Sequence, residues 1–155
     1  MRRASASLVR AAAAAAVAFL PVASARAQAD PPEAALVSVG VQVGSLGGLS
    51  LRVPARTPRS WTLSLAFDGD GRVVADAARH AEVRLPRSPL RLFAAPGVFV
   101  GTDDGAATAG VNTAAGFGFY RARFDVFLVA IPSLALAGTG RGARVDAGIG
   151  VRYAL

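Results

Sequence analysis

The sequence contains no cysteine and no lysine, and it has a single histidine. Without cysteine, the chain cannot form a disulfide, a thiolate metal site or a thiolate nucleophile. The formal net charge of the sequence is +7, and four of its arginines lie within residues 1–29. The remaining chain has 13 arginines and 10 acidic residues, so its net charge is +3. These later arginines are scattered singly among apolar residues and form no basic run. The pattern gives no support for nucleic-acid binding, and we expect no nucleic-acid partner.

Long apolar runs are also missing, except near the N-terminus. Residues 1–29 combine a basic start, an apolar run and a small-residue cleavage pattern, with Ala27 and Ala29 at its two small positions. An uncleaved membrane helix is the alternative, but the run is short for a span of about 20 residues. We therefore predict a secretory signal peptide over 1–29, a short N-terminal tail over 30–35 and one domain over 36–155.

The last eleven residues alternate strictly between an apolar face and a small or charged face. Val145, Ala147, Ile149, Val151, Tyr153 and Leu155 form the apolar face. This period of two predicts a strand with one dry and one wet side. An apolar closing strand with an aromatic residue two positions from its end is typical of outer-membrane barrels. We predict that Val151, Tyr153 and Leu155 form a C-terminal assembly signal for the barrel-insertion machinery.

The same alternation recurs and predicts eight strands, over 36–44, 49–53, 60–67, 72–85, 90–101, 111–120, 124–136 and 145–155. The alanine-rich segment 72–85 also suits a helix, but its neighbours on both sides are strands. Pro96 and Gly97 predict a bulge or kink in the fifth strand. Residues 101–110 read as a polar, flexible loop.

Eight strands of this length predict an all-β fold, an eight-stranded antiparallel up-and-down transmembrane β-barrel. Such a barrel has a lumen filled by side chains. The alternative is a soluble, lipocalin-like periplasmic carrier whose apolar faces point inward around an apolar ligand. The wet faces favour the membrane barrel, because they hold glycine, serine, alanine and threonine rather than the long charged side chains of a soluble surface. The outward aromatic residues would then form interfacial girdles: Trp61, Phe67, Phe117, Phe119, Phe124 and Tyr153.

The predicted wet faces carry a nearly balanced set of charges that would form a polar network in the lumen: Arg52, Asp76, His80, Glu82, Arg91, Asp125, Arg144, Asp146 and Arg152. Charges at membrane depth are costly unless they are paired, so an interior ion-pair network is the expected role. A narrow polar path through the lumen is the alternative. His80 beside Asp76 and Glu82 has the chemistry of a general base. No matching nucleophile motif accompanies it, and we expect no catalytic residue, no metal site and no cofactor.

Several segments resemble a group of small proteobacterial outer-membrane proteins of unassigned function. The resemblance spans about residues 36–155, and its most specific parts are the ADxxxH stretch at 75–80 and the GIGVRY ending at 148–153. It implies an eight-stranded barrel with OmpA/OmpX-like architecture in the bacterial outer membrane. It also implies two acidic positions in the seventh strand. Asp125 matches one of them, whereas the other is occupied here by Val129. We expect a monomer in contact with outer-membrane lipid, with a structural or surface-interaction role and no enzymatic activity.

Overall fold

The computed structural model describes residues 37–55, 59–138 and 142–155. The predicted signal peptide and N-terminal tail lie outside these residues. The described chain forms eight strands: β1 (Ser38–Gly44), β2 (Gly47–Pro54), β3 (Ser60–Phe67), β4 (Val73–Arg84), β5 (Leu90–Asp103), β6 (Ala106–Arg121), β7 (Phe124–Gly138) and β8 (Gly142–Ala154). Among the described residues, no helix is long and apolar enough to cross a membrane.

Each strand pairs antiparallel with the next, and β8 pairs with β1, so the sheet closes into a barrel. The predicted fold, an all-β eight-stranded antiparallel barrel, is confirmed. Segment 72–85 is a strand, as its alternation indicated. β1 begins and β8 ends at one end of the barrel, here called the terminal end, where the turns after β2, β4 and β6 also lie. The opposite end is called the distal end.

The strands are strongly staggered around the barrel. A path of paired residues from Val39 through all the intervening strands reaches Ala143 on β8. Val39 itself pairs with Tyr153, which lies ten residues further along β8. With the usual rise per residue and spacing between strands, a stagger of this size tilts the strands by roughly 40° from the barrel axis. This tilt falls in the range of transmembrane barrels.

Two local expectations are wrong. Residues 101–110 are not a loop, because β5 and β6 remain paired as far as Asp103 and Ala106. Asp104 and Gly105 both have positive φ, 51° and 75°, which gives the tight two-residue turn that joins twisted strands with least distortion. Pro96 causes no bulge: β5 keeps one register with β4 on both sides of it, and it pairs with Thr113 on β6. The register shift lies instead between β6 and β7, at Ala109 and Gly110.

Apolar side chains cover most of the outside of the barrel, whereas most charged side chains of the strands lie inside; Arg79 and Arg121 are the outward exceptions among the described strands. Val43, Leu49 and Leu65 are 63%, 61% and 50% exposed, while His80 and Asp146 are each only 2% exposed. Alternation along tilted strands produces this division, since successive side chains point to opposite faces of a sheet. The distribution is the reverse of a soluble barrel, in which the apolar faces point inward.

Candidate functional site

The lumen contains a charged cluster near each end and an apolar layer between them. We define the terminal cluster as Arg52, His80, Glu82, Arg91, Tyr120, Asp125 and Arg152. The distal cluster consists of Asp68, Arg72, Asp103, Arg144 and Asp146. The sequence predicted a polar network in the lumen, and the register of the strands divides all of its members except Asp76 between these two clusters.

Glu82 is the centre of the terminal cluster. Its two carboxylate oxygens contact Arg91 Nη1 at 2.8 Å and Arg52 Nη2 at 3.0 Å. The Tyr120 hydroxyl donates a hydrogen bond to Glu82 Oε2 at 3.3 Å, and it accepts one from Arg52. His80 Nε2 lies 3.4 Å from the same Oε2. One buried carboxylate therefore holds together side chains from β2, β4, β5 and β6.

Asp125 is the second anion of the terminal cluster. It contacts Arg152 Nη1 at 3.1 Å and lies 3.9 Å from Arg52 Nη1. Arg152 also donates from Nε to Ser50 Oγ at 3.1 Å, and its guanidinium lies 3.9 Å from the centre of the Phe127 ring. Three guanidinium groups thus face two carboxylates. The electron-rich face of an aromatic ring also attracts a cation, and the Arg91 guanidinium lies 4.2 Å from the centre of the Tyr120 ring.

An apolar layer separates the terminal cluster from the rest of the lumen. Phe93, Phe127 and Val129 are all buried, and the two phenylalanine rings meet edge to face with their centres 6.5 Å apart. His80 stacks on Phe93 at 5.0 Å. Val129, where the resemblance implies an acidic residue, belongs to this layer. These apolar side chains come from β5 and β7, whereas the buried inward residues Ser50 and Thr62 on β2 and β3 are polar.

A glycine opposite the central ring makes this layer possible. A Cβ atom added to Gly150 on β8 would overlap the Phe127 ring. Any larger residue at position 150 would force the ring to move, and interiors packed at this density tolerate such overlaps poorly. Gly150 belongs to the GIGVRY segment of the closing strand, and its lack of a side chain leaves the space that the Phe127 ring occupies.

The distal cluster is more exposed. Arg72 Nη1 contacts Asp146 at 3.1 Å, and both side chains are buried. Arg144 has a side chain that is 45% exposed, and it lies 3.6 Å from Asp68 and from Asp146 and 4.0 Å from Asp103. The backbone N–H of Arg72 donates to Asp68 Oδ1 at 3.0 Å and lowers the pKa of that carboxyl. Because almost half of its side chain is exposed, Arg144 lies at the mouth of the lumen, whereas Arg72 and Asp146 lie deeper.

Asp76 belongs to neither cluster. It accepts a hydrogen bond from Ser64 on β3 and lines a cavity of about 30 Å³ on the distal side of the apolar layer. A second cavity of about 20 Å³ lies beside the terminal cluster. Each has room for only one or two water molecules. No group of three His, Asp or Glu side chains that could hold a metal ion occurs among the described residues.

The sequence reasoning missed Arg72, Tyr120 and Asp68. Arg72 and Tyr120 lie at the ends of the predicted strands 72–85 and 111–120, and neither was counted among the inward-facing residues. The alternation continues through them: Tyr120 follows Asn112 and Gly118 on the inward face of β6. Asp68 is a turn residue whose contact depends on Arg144 of a distant strand. Extending the period of two by one or two residues would have found Arg72 and Tyr120.

The residues of the predicted assembly signal lie on the outer surface at the terminal end. Val151, Tyr153 and Leu155 are 37%, 38% and 61% exposed. The Tyr153 ring meets Phe124 of β7 edge to face at 5.2 Å, and the backbone N–H of Leu155 donates to the carbonyl of Val37 at 2.9 Å. The final residues thus contact both strands that flank the closing strand.

Comparison with solved structures identifies a similar fold. The chain is similar to the N-terminal β-barrel domain of Pseudomonas aeruginosa OprF, with a TM-score of 0.62 and 17% sequence identity. The similarity covers 78% of this chain and 98% of that domain. No protein-family model and no curated protein matches the sequence. The likeness supports the barrel architecture, and at this level of identity it carries no function with it.

Proposed function

We propose that this chain is a small bacterial outer-membrane β-barrel of the kind that its sequence resembles, with a structural or surface-interaction role and no enzymatic activity. One observation carries the proposal: the closed barrel is covered by apolar side chains and keeps its charges inside. A closed sheet satisfies its own backbone hydrogen bonds, which a bilayer requires. Lipid is the environment in which such an exterior is favourable.

The placement of aromatic residues supports the same orientation toward lipid. Trp61, Phe117, Phe124 and Tyr153 all lie outward near the terminal end, each 38% exposed or more. Aromatic side chains are enriched at both membrane–water interfaces. We propose that the terminal end lies at one interface, and that the C-terminal residues Val151, Tyr153 and Leu155 are presented there to the insertion machinery.

The two alternative functions have less support. A soluble carrier of an apolar ligand needs its apolar faces inside, and here they lie outside. A narrow pore needs an open polar path, and the two cavities found in the lumen, of about 30 Å³ and 20 Å³, each have room for only one or two water molecules. We therefore propose that the arginines and carboxylates in the lumen stabilise the barrel and do not conduct ions or catalyse a reaction.

The first experiment is a gel of the detergent-extracted outer-membrane fraction, with and without boiling. We expect the unboiled protein to migrate differently, because a closed barrel resists SDS until it is heated. Osmotic shock, which releases soluble periplasmic proteins, should leave the protein in the membrane fraction. Recovery in the shock fluid with no effect of heating would refute the proposal.

Planar bilayers test the filled lumen separately. The purified, folded protein should give no discrete conductance steps. Steps that disappear in an Arg52→Ala variant would show that the polar network conducts and would favour the pore. A boiled and unboiled gel of the same preparation shows whether the variant has folded, so that silence caused by unfolding is recognised.

A further inference from the structure

Two charged side chains lie on the outward face of the described strands, Arg79 within β4 and Arg121 at the end of β6. Arg79 on β4 points outward between Ala77 and Ala81, and it is exposed. The other outward positions of the described strands hold apolar or small residues, tyrosine or threonine, apart from Arg121 at the end of β6. Arg79 forms no ion pair or hydrogen bond with another described residue. On the proposed lipid-facing surface, Arg79 therefore has no counter-charge from the described residues.

The position of Arg79 along the barrel is specific. Its paired residue is Trp61, the second residue of β3. On the other side, the outward apolar surface continues toward the terminal end through Val83, Leu90 and Leu92. The backbone of Arg79 therefore lies within the apolar band, but the neighbouring strand β3 begins only one residue before its partner Trp61. An arginine can extend its charged group from such a position to the interface.

A lipid headgroup can supply the counter-charge that the described residues do not provide. A second copy offers none on this surface, because the outward strand positions at residues 37–55, 59–138 and 142–155 include no aspartate or glutamate. The long arginine side chain can extend from the apolar band toward the phosphates of the adjacent leaflet, and arginine binds phosphate with two parallel hydrogen bonds. The neighbouring alanines, Ala77 and Ala81, leave the guanidinium open to such a headgroup.

We propose that Arg79 binds the headgroup phosphate of an anionic phospholipid in the leaflet at the terminal end, beside Trp61. This inference rests on the proposed membrane location. It gives the outer surface a lipid site on the β3–β4 side, whereas the remainder of the apolar band has no charge with which to select a headgroup.

Trp61 makes the site measurable, because it is the only tryptophan of the chain and is paired with Arg79. The full chain is folded into phosphatidylcholine vesicles that contain an equal fraction of either brominated phosphatidylglycerol or brominated phosphatidylcholine. Bromine quenches tryptophan fluorescence at short range. We expect the anionic lipid to be preferred near Trp61 about fivefold, the factor that corresponds to about 1 kcal/mol for one basic residue at an anionic surface.

Three variants identify the group responsible. Arg79→Gln should reduce the preference to none, and Arg79→Lys should keep most of it. The matched control is Arg87→Gln, which removes one positive charge from the turn between β4 and β5 and should leave the preference unchanged. An unboiled gel confirms that each variant is folded. A preference that falls equally in the Arg79→Gln and Arg87→Gln variants would overturn the proposal, because net charge would then explain it.

The remaining outcomes separate this inference from the proposed function. Absence of quenching by either lipid would refute the membrane location itself. Equal quenching by both lipids would leave that location intact and overturn the lipid site, and chemical cross-linking to a dimer in that case would identify a second copy as the occupant. Inorganic phosphate, compared with chloride at equal ionic strength, should leave the preference unchanged; its loss would mean that Arg79 takes free phosphate rather than lipid.

Discussion

Replacing Glu82 with glutamine tests whether the terminal cluster stabilises the barrel. The change removes the charge that contacts Arg91 at 2.8 Å and Arg52 at 3.0 Å. Arg52 then depends on Asp125, which is 3.9 Å away. The side chain of Glu82 is only 8% exposed and that of Arg52 only 10%, so water cannot solvate the arginines that lose their carboxylate partner. Removing one partner of a buried ion pair typically costs about 3–5 kcal/mol.

We expect Glu82→Gln to lower the free energy of unfolding by about 3 kcal/mol, near the lower end of that range, because the amide oxygen still accepts a hydrogen bond from an arginine. The measurement is a urea titration of the protein folded in detergent micelles, followed by Trp61 fluorescence and by the unboiled gel band. The matched control is Asp103→Asn, which breaks a 4.0 Å contact between partly exposed side chains and should cost less than about 1 kcal/mol.

A loss for Glu82→Gln that is no larger than the loss for Asp103→Asn would refute the reasoning, since burial would then not matter. Combining Glu82→Gln with Arg91→Met should cost less than the two single changes together. Arg91→Met removes the buried cation that Glu82→Gln leaves without its carboxylate partner. A double-mutant cycle measures the resulting difference between the combined loss of stability and the sum of the two single losses.

Three further predictions concern other parts of the barrel. Ile149 is 52% exposed, pairs with Val43 and Leu128, and lies further from the terminal end than Val151. Ile149→Arg should reduce folding into vesicles by about 2–4 kcal/mol, the cost of an arginine on a lipid face near the midplane, whereas Ile149→Leu should fold normally; a normal unboiled band for the arginine variant would contradict the outward position. Phe127→Ala should lower the free energy of unfolding by about 3–5 kcal/mol in the urea titration, because it empties the apolar layer; a loss below 1 kcal/mol would mean that the layer is loosely packed. Gly105→Ala should cost about 1 kcal/mol, because its φ is 75°, whereas Gly69→Ala, in an open turn, should cost almost nothing; equal costs would argue against the tight turn.

The faces of the strands were predictable from the sequence because alternation is a local property. Val145 to Leu155 shows this best: every second residue is apolar, and those residues are the exposed ones. No knowledge of a partner strand is needed to assign them. The turn at Asp104–Gly105 shows where local reading failed. Small and polar residues on both sides of it resembled a loop, although pairing with the opposite strand keeps them in β5 and β6.

The division of the lumen into two clusters was not predictable in the same way. Asp146 and Arg152 lie on the same face of β8, only six residues apart, yet Asp146 contacts Arg72 and Arg152 contacts Asp125. Which partner each residue meets depends on the stagger accumulated around the whole barrel, and that quantity is absent from any single segment. The contact between Phe127 and Gly150 depends on register for the same reason.

The unequal lengths of the strands bear on how the barrel opens. β1 spans 7 residues and β2 spans 8, whereas β6 spans 16 and β7 spans 15. The seam between β1 and β8 is therefore closed by one of the shortest ladders in the molecule, and local opening occurs first where the fewest backbone hydrogen bonds must break together. Amide protons of β1 should exchange with solvent deuterium well before those of β6, because β1 is held on both sides by short ladders.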